Sequence, residues 1–228
     1  MRVKIYQINS DRDPERVKFF GMDHRQSLNL SQTVDPAMYD EVFNAEIKES
    51  GLEDIFQRFN TEGHPLFRGH SLSVSDVVVT DAGAFFCDSF GFQQVPFDES
   101  QTQKPEDLMR IVYVEPGEKP YEVEIPKTLH AEQQAVGGLI ELIYNEDDTI
   151  LVGNEESKLI GMPGNRRIGD GSSIIAGPFF VVGDDGEDFR SLTDEEAEKY
   201  MERFAEPEEI SDEEVQADTG YAIFFGSW

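Results

Sequence analysis

The stretch from Gly69 to Val95 constrains the fold more than any other, because it holds the clearest strand pair in the N-terminal half. Val77, Val78 and Val79 are β-branched, Phe85, Phe86, Phe90 and Phe92 are aromatic, and Asp81-Ala82-Gly83 between them ends in the residue that tolerates positive φ. That pattern predicts a β-hairpin. Leu72 and Val74 share one parity and Val77 and Val79 the other, so a bulge or a loop-to-strand switch is expected at Ser75-Asp76.

Around this hairpin the alternation from Val3 to Ile8 predicts a half-buried first strand. Asp35 as cap, Pro36 in a first turn and Tyr39, Val42, Phe43 and Ile47 at helical spacing predict a helix. Leu52, Ile55, Phe56 and Phe59 predict a second one, ended by Gly63 and Pro65. Asp98 to Glu106 is polar and aperiodic, as a linker should be. Beyond it, Ile111–Val114 and Tyr121–Ile125 read as strands, and Leu129, Gln133 and Val136 as a helix closed by Gly137-Gly138. Leu139–Tyr144 and Thr149–Val152 read as a second hairpin, and Lys158–Met162 as a short strand. A longer strand over Ile174–Val182 carries Pro178, which confines it to an edge or interrupts it.

Ser191 to Phe204 has the grammar of a helix, with Thr193 and Glu196 as a capping box and Ala197, Tyr200, Met201 and Phe204 as its apolar stripe. Its outer face carries Glu195, Glu198 and Glu202, followed by Glu206. From Glu206 to Thr219 the chain is acidic and poor in apolar residues, so disorder is expected there. Tyr221 to Trp228 is apolar and is expected to dock as an added strand on this chain or a neighbour. The resulting expectation is an α+β protein of two small domains, residues 1–98 and 108–205, joined by a linker at 99–107 and followed by an acidic tail at 206–228. Each domain is expected to be a mostly antiparallel sheet with helices packed on one side.

Charge narrows the function. The 228 residues hold 47 Asp and Glu against 19 Lys and Arg, a net charge of -28. Direct binding to nucleic acid or to an anionic membrane needs clustered cations, so neither is expected. Three explanations stay open: plain solvation, a match to a basic or DNA-binding protein partner, and imitation of DNA phosphates. The single cysteine, Cys87, excludes an intrachain disulfide and a Cys-rich zinc site. Without an apolar leader or a long apolar run, a soluble cytoplasmic protein is expected.

Two places hold candidate chemistry. His70 and Ser71, with Asp76 nearby and Cys87 across the hairpin, supply the residue types of a small hydrolase. The glycines that flank a nucleophile elbow are missing, and loops entering strands use His, Ser and Asp to satisfy their own backbone. Cys87 among phenylalanines reads as a small buried hydrophobe. Asn165, Arg166 and Arg167 lie in a glycine-flanked loop that can present planar donors to a carboxylate or phosphate, or else neutralise the domain's own carboxylates. The four histidines show no paired spacing, so no metal site is expected, and no cofactor or catalytic residue is assigned.

Several strings resemble known families. F-N-T-E-G-H-P-L-F-R-G-H-S-L-S-V-S-D-V-V, from Phe59 to Val78, and F-F-C-D-S-F-G-F after it resemble a YodL-like domain. A-V-G-G-L-I-E-L-I-Y, G-M-P-G-N-R-R-I-G-D and G-P-F-F-V-V-G-D-D-G-E-D-F-R-S-L-T-D resemble a bacterial domain family of unknown function that often accompanies it. The resemblance implies a protein of Firmicutes, carried on integrative elements or phages, and brings no catalytic residues. The function expected is therefore a non-enzymatic accessory or regulatory protein of a mobile element that binds a cellular protein through an acidic surface. The alternatives are a DNA mimic that blocks a DNA-processing enzyme, and a hydrolase using His70 with Ser71 or Cys87.

Overall fold

A computed structural model describes residues 1–104, 107–145, 147–169, 171–186 and 188–218. They form two compact units, Met1–Glu106 and Asp107–Trp228. In the first, β1 (Arg2–Ile8), β2 (Tyr39–Glu46), β3 (Val77–Thr80), β4 (Gly83–Cys87) and β5 (Phe92–Gln94) make one antiparallel sheet of order β2-β1-β3-β4-β5. The Val/Phe hairpin is its β3–β4 pair, with Val77 opposite Phe86 and Thr80 opposite Gly83. At its foot Ser75 takes a φ of +80°, so the expected switch is a single left-handed residue.

The predicted helix after Asp35 is a strand. Asp35 does cap, accepting from the Ala37 N–H at 3.0 Å, but only over one 3-10 turn, Pro36–Met38. From Tyr39 the chain runs as β2 along the whole of β1, Arg2 opposite Glu46 and Ile8 opposite Tyr39. Tyr39, Phe43 and Ala45 go inward at period two, together with Glu41. The residues Y-D-E-V-F-N-A-E fit either period, and pairing with an otherwise open strand edge decided between them. Between β1 and β2 lies an unpredicted short helix, α1 (Met22–Ser27), and α2 (Leu52–Thr61) follows β2 as expected, with Ile55 and Phe59 buried. The linker is tighter than its composition suggests. The Glu99 carboxylate accepts from Lys4 and Tyr6, each at 2.6 Å, and Gln103 bridges to Asp40, so residues 99–103 pack onto the first unit.

The second unit is built on β6 (Leu108–Val114), β7 (Tyr121–Pro126), α3 (Leu129–Val136), β8 (Ile140–Tyr144) and β9 (Thr149–Asn154). These are followed by β10 (Gly164–Ile168), β11 (Ser173–Ala176), β12 (Phe179–Asp184), β13 (Phe189–Arg190), α4 (Asp194–Arg203) and α5 (Asp212–Ala217). The main sheet is antiparallel in the order β7-β6-β12-β9-β8, with β13 on β12, and β10–β11 form a separate ribbon. Both units thus have the expected α+β class. Val112, Val114, Phe179 and Val181 pack under Ala197, Tyr200 and Phe204 of α4. Tyr113, of opposite parity, donates its hydroxyl to the Ala135 carbonyl of α3 at 2.7 Å. Helices therefore cover both faces of this sheet, one layer more than the sequence indicates.

Two further expectations change. Residues 155–161 are turns, not a strand, and leave Leu159 and Ile160 exposed. As Pro178 indicated, the 174–182 strand is interrupted, at Gly177 (φ +73°) and Pro178, into β11 and β12. The acidic tail up to Asp218 is ordered rather than disordered: Val215 and Ile210 pack on Ile174 and Ala176, and Lys158 pairs with Asp218 at 2.6 Å. The apolar tip, Tyr221 to Trp228, lies outside the described residues. Among the described residues no helix is long and apolar enough to cross a membrane.

Candidate functional site

At the end of β1 the buried Gln7 side chain organises the loop that enters β3. Its Oε1 accepts from the His70 N–H at 3.0 Å, and its Nε2 donates to the His70 carbonyl at 2.7 Å and to Asp76 Oδ2 at 3.0 Å. Gly69 permits this approach, since a Cβ there would sit 2.2 Å from Gln7 Oε1. Asp76 is fully buried. Its Oδ2 also accepts from the Ser73 N–H at 2.8 Å, while Oδ1 has no partner. Burial pushes this carboxyl up to about 7, against the opposing pull of the Ser73 and Gln7 donors and Lys18.

The hydrolase constellation does not assemble. His70 Nδ1 lies 2.9 Å from the Ser71 carbonyl oxygen, and 4.0 Å from Asp76 Oδ2; its Nε2 is buried with no partner. Ser71 itself is exposed. Cys87 is buried, and desolvation together with Asp76, Glu53 and Asp88 pushes its thiol up, which opposes thiolate formation. A base without a nucleophile in reach performs no covalent chemistry.

What the geometry does build is a cavity of about 370 Å³ beside this loop, lined by Gln7, Asn9, Asp11, Lys18, Asp40, Arg68 and His70. Sequence reasoning missed Lys18 and Arg68, which lie 50 residues apart in no motif. Lys18 is placed by its neighbours. Asp13 accepts from the Val17 and Lys18 N–H groups, both at 2.9 Å, and buried Arg25 donates to the Phe20 and Val17 carbonyls. Phe19, at φ +69°, donates its N–H to Ser75 Oγ at 2.8 Å and lays its ring 5.1 Å from that of His70. Arg68 is held by its N–H on the Val42 carbonyl and its guanidinium on the Glu41 carbonyl at 3.0 Å.

In the second unit the expected binding loop turns inward. Asn165 donates to the carbonyls of Val114 and Gly177, at 2.9 and 2.8 Å. Arg166, 1% exposed, donates to the carbonyls of Asn165, Glu118 and Phe204 at 3.0, 2.7 and 2.9 Å. Neither presents donors to an outside anion, so that expectation is overturned for both. Arg167 reaches the surface and joins Glu208, at 2.8 Å, to Glu214, at 2.6 Å, clamping the tail. Among the described residues no group of three His, Cys, Asp or Glu side chains comes together to hold a metal ion.

The acidic residues named from the sequence do share one region. The capping box of Thr193 and Glu196 starts α4, Ala197 and Tyr200 face the core, and Glu195, Glu198 and Glu202 face solvent, with exposed Glu206 just beyond. None of these four carboxylates has an ion-pair partner among the described residues. Of the nearby cations, Arg110 pairs with Glu122 and Asp194, Arg190 with Glu196 and Lys199 with Asp147, while exposed Arg203 lies over the Tyr200 and Phe204 rings.

Fold and site together define a protein of two α+β modules, the first with a polar cavity and the second with an acidic helix face. Residues 2–97 match the family model of a YodL-like domain, and residues 109–205 that of a domain of unknown function, DUF3846. The docked segment 206–218 lies beyond both matches. No curated protein and no solved structure matches the chain.

Proposed function

We propose that this protein is a non-enzymatic adaptor that docks a basic protein partner through the acidic face of its second unit. The observation that carries this reading is the row Glu195, Glu198, Glu202 and Glu206, exposed and without an ion pair among the described residues, while Arg110, Arg190 and Lys199 pair with other carboxylates. A face of one sign speeds encounter with a partner of the other sign and repels wrong ones. An accessory role in a mobile element comes with the family resemblance.

The extent of the row favours an adaptor over a DNA mimic. At a rise of about 1.5 Å per residue, Glu195, Glu198 and Glu202 span only about 10 Å of α4, a single short row. A duplex presents two strands of phosphates over each turn of about 34 Å.

The test is affinity capture from a lysate with the full chain and with the triple variant Glu195→Gln, Glu198→Gln, Glu202→Gln, at low and high salt. A basic protein retained by the parent chain, and lost both in the variant and at high salt, supports the adaptor. Equal capture by both chains removes it. Displacement of the partner by duplex DNA would restore the mimic.

A further inference from the structure

The cavity of the first unit holds an arrangement that the acidic-face reading leaves unused. In a chain with 47 acidic and 19 basic residues, a lysine or arginine readily finds a carboxylate. Lys18 and Arg68 line the same cavity, and among the described residues neither forms an ion pair. Of the two carboxylates in the lining, Asp40 is already engaged by Arg12 and by Asn9 Nδ2, leaving Asp11 alone against two cations. The Gln7 amide is committed to His70 and Asp76, but His70 Nε2 has no partner. Among the described residues the charged lining groups without an ion pair are thus Lys18, Arg68 and Asp11, two cations against one carboxylate, with Asp76 and Glu41 acting on Lys18 and Arg68 only at longer range.

The backbone is strained to make this arrangement. Phe19 and Ser75 both adopt positive φ, +69° and +80°, and are tied to each other by the Phe19 N–H on Ser75 Oγ. Non-glycine residues seldom adopt this region, and those that do cluster at ligand sites. Here the strain brings the Phe19 ring over His70 and sets Lys18 at the cavity. Buried Arg25, donating to the carbonyls on either side of Lys18 and Phe19, holds the loop in that shape.

We propose that this cavity binds a small organic anion, a carboxylate or a phosphate monoester, with its charged group between Lys18 and Arg68 and its body toward His70 and Phe19. The volume of about 370 Å³ suits a metabolite-sized ligand and is too small for a folded partner. Guanidinium and ammonium donors bind such groups by charge-assisted hydrogen bonds. Elsewhere the strong negative charge of the chain repels anions, so a saturable anion site would be a local property of this cavity. The inference is independent of the acidic helix face, and either can fail alone.

The experiment is a titration of the isotopically labelled full chain with inorganic phosphate and, separately, with citrate, followed by amide NMR. Saturable shifts concentrated at Gly69, His70 and Lys18 are expected with at least one probe, and the response to each separates phosphate from carboxylate preference. Lys18→Ala should weaken that binding about tenfold, and Arg68→Lys should retain part of it. The Lys18 bond to Asp13 comes from its backbone N–H, which alanine keeps, so the variant should retain the parent spectrum; if it does not, Arg68→Lys decides. Absence of saturable shifts with both probes overturns the proposal. So do shifts centred outside the cavity, and affinity unchanged in both variants.

Discussion

Gln7 Nε2 lies 3.0 Å from Asp76 Oδ2, joining the end of β1 to the start of β3 through two side chains that are both buried. The carboxylate gains that donor and the Ser73 N–H, yet its Oδ1 faces no partner, so desolvation dominates and the carboxyl titrates near 7.

This sets the sign of a pH dependence. In the unfolded chain Asp76 titrates near 4, so between about 4 and 7 the native state binds more protons, and this group's contribution to stability falls as pH rises. The full effect is on the order of a few kcal/mol. Asp76→Asn removes the titration and keeps an acceptor for Ser73 and Gln7. The difference in melting temperature, variant minus parent, should grow in the variant's favour from pH 5 to pH 8. A difference that stays flat across that range would contradict the assignment.

Gly69→Ala tests the close approach. The added Cβ would meet Gln7 Oε1 at 2.2 Å and Val42 Cγ2 at 3.1 Å, and Gln7 cannot withdraw without losing its bonds to His70. Overpacking of this kind costs about 1–3 kcal/mol, to be read as a lower urea midpoint with unchanged slope.

Arg166 and Arg167 are neighbours with different roles. Arg166→Leu leaves three carbonyls without their donor, those of Asn165 and Phe204 buried, and should destabilise the second unit by about 2–4 kcal/mol. Arg167→Ala removes partly exposed ion pairs and should cost about 1 kcal/mol or less. Urea unfolding of both variants gives the comparison, and equal losses would refute the distinction.

Val215 holds the tail down. It packs with Ile210 against Ile174 and Ala176, and Ile210 uses the space that the missing side chain of Gly164 leaves. Val215→Asp forfeits about 1.5–3 kcal/mol of burial, more than a single short helix can recover by itself. Cleavage by a glutamate-specific protease at Glu208 and Glu209 should accelerate, while amide protection in β6 and β12 stays near the parent level. Unchanged cleavage would show that the ion pairs alone hold the segment.

Much of the fold was legible where its causes are local. Asp81 to Gly83 turns the β3–β4 hairpin, Gly137 ends α3 at φ +74°, and Thr193 with Glu196 starts α4, each through groups a few residues apart. Element type failed where the local pattern fits two periods, as from Tyr39 to Glu46, or where apolar residues stay at the surface, as at Leu159 and Ile160. The site was less legible. His70 and Asp76 stood out by residue type, whereas Gln7, Lys18 and Arg68 are ordinary residues in sequence.

By itself the sequence determined the alternation of strands and helices, the two-module layout and the acidic outer face of α4, because caps, turns and amphipathic stripes act over one or two turns of chain. Tertiary structure alone decided that β2 is a strand, that Arg166 points inward to backbone carbonyls, and that Lys18 and Arg68 line one cavity without forming an ion pair among the described residues. The reason is range. Each of those outcomes depends on which distant segment satisfies a backbone or a charge, and long-range pairing overrides local preference whenever an unpaired edge or a buried polar group would otherwise remain.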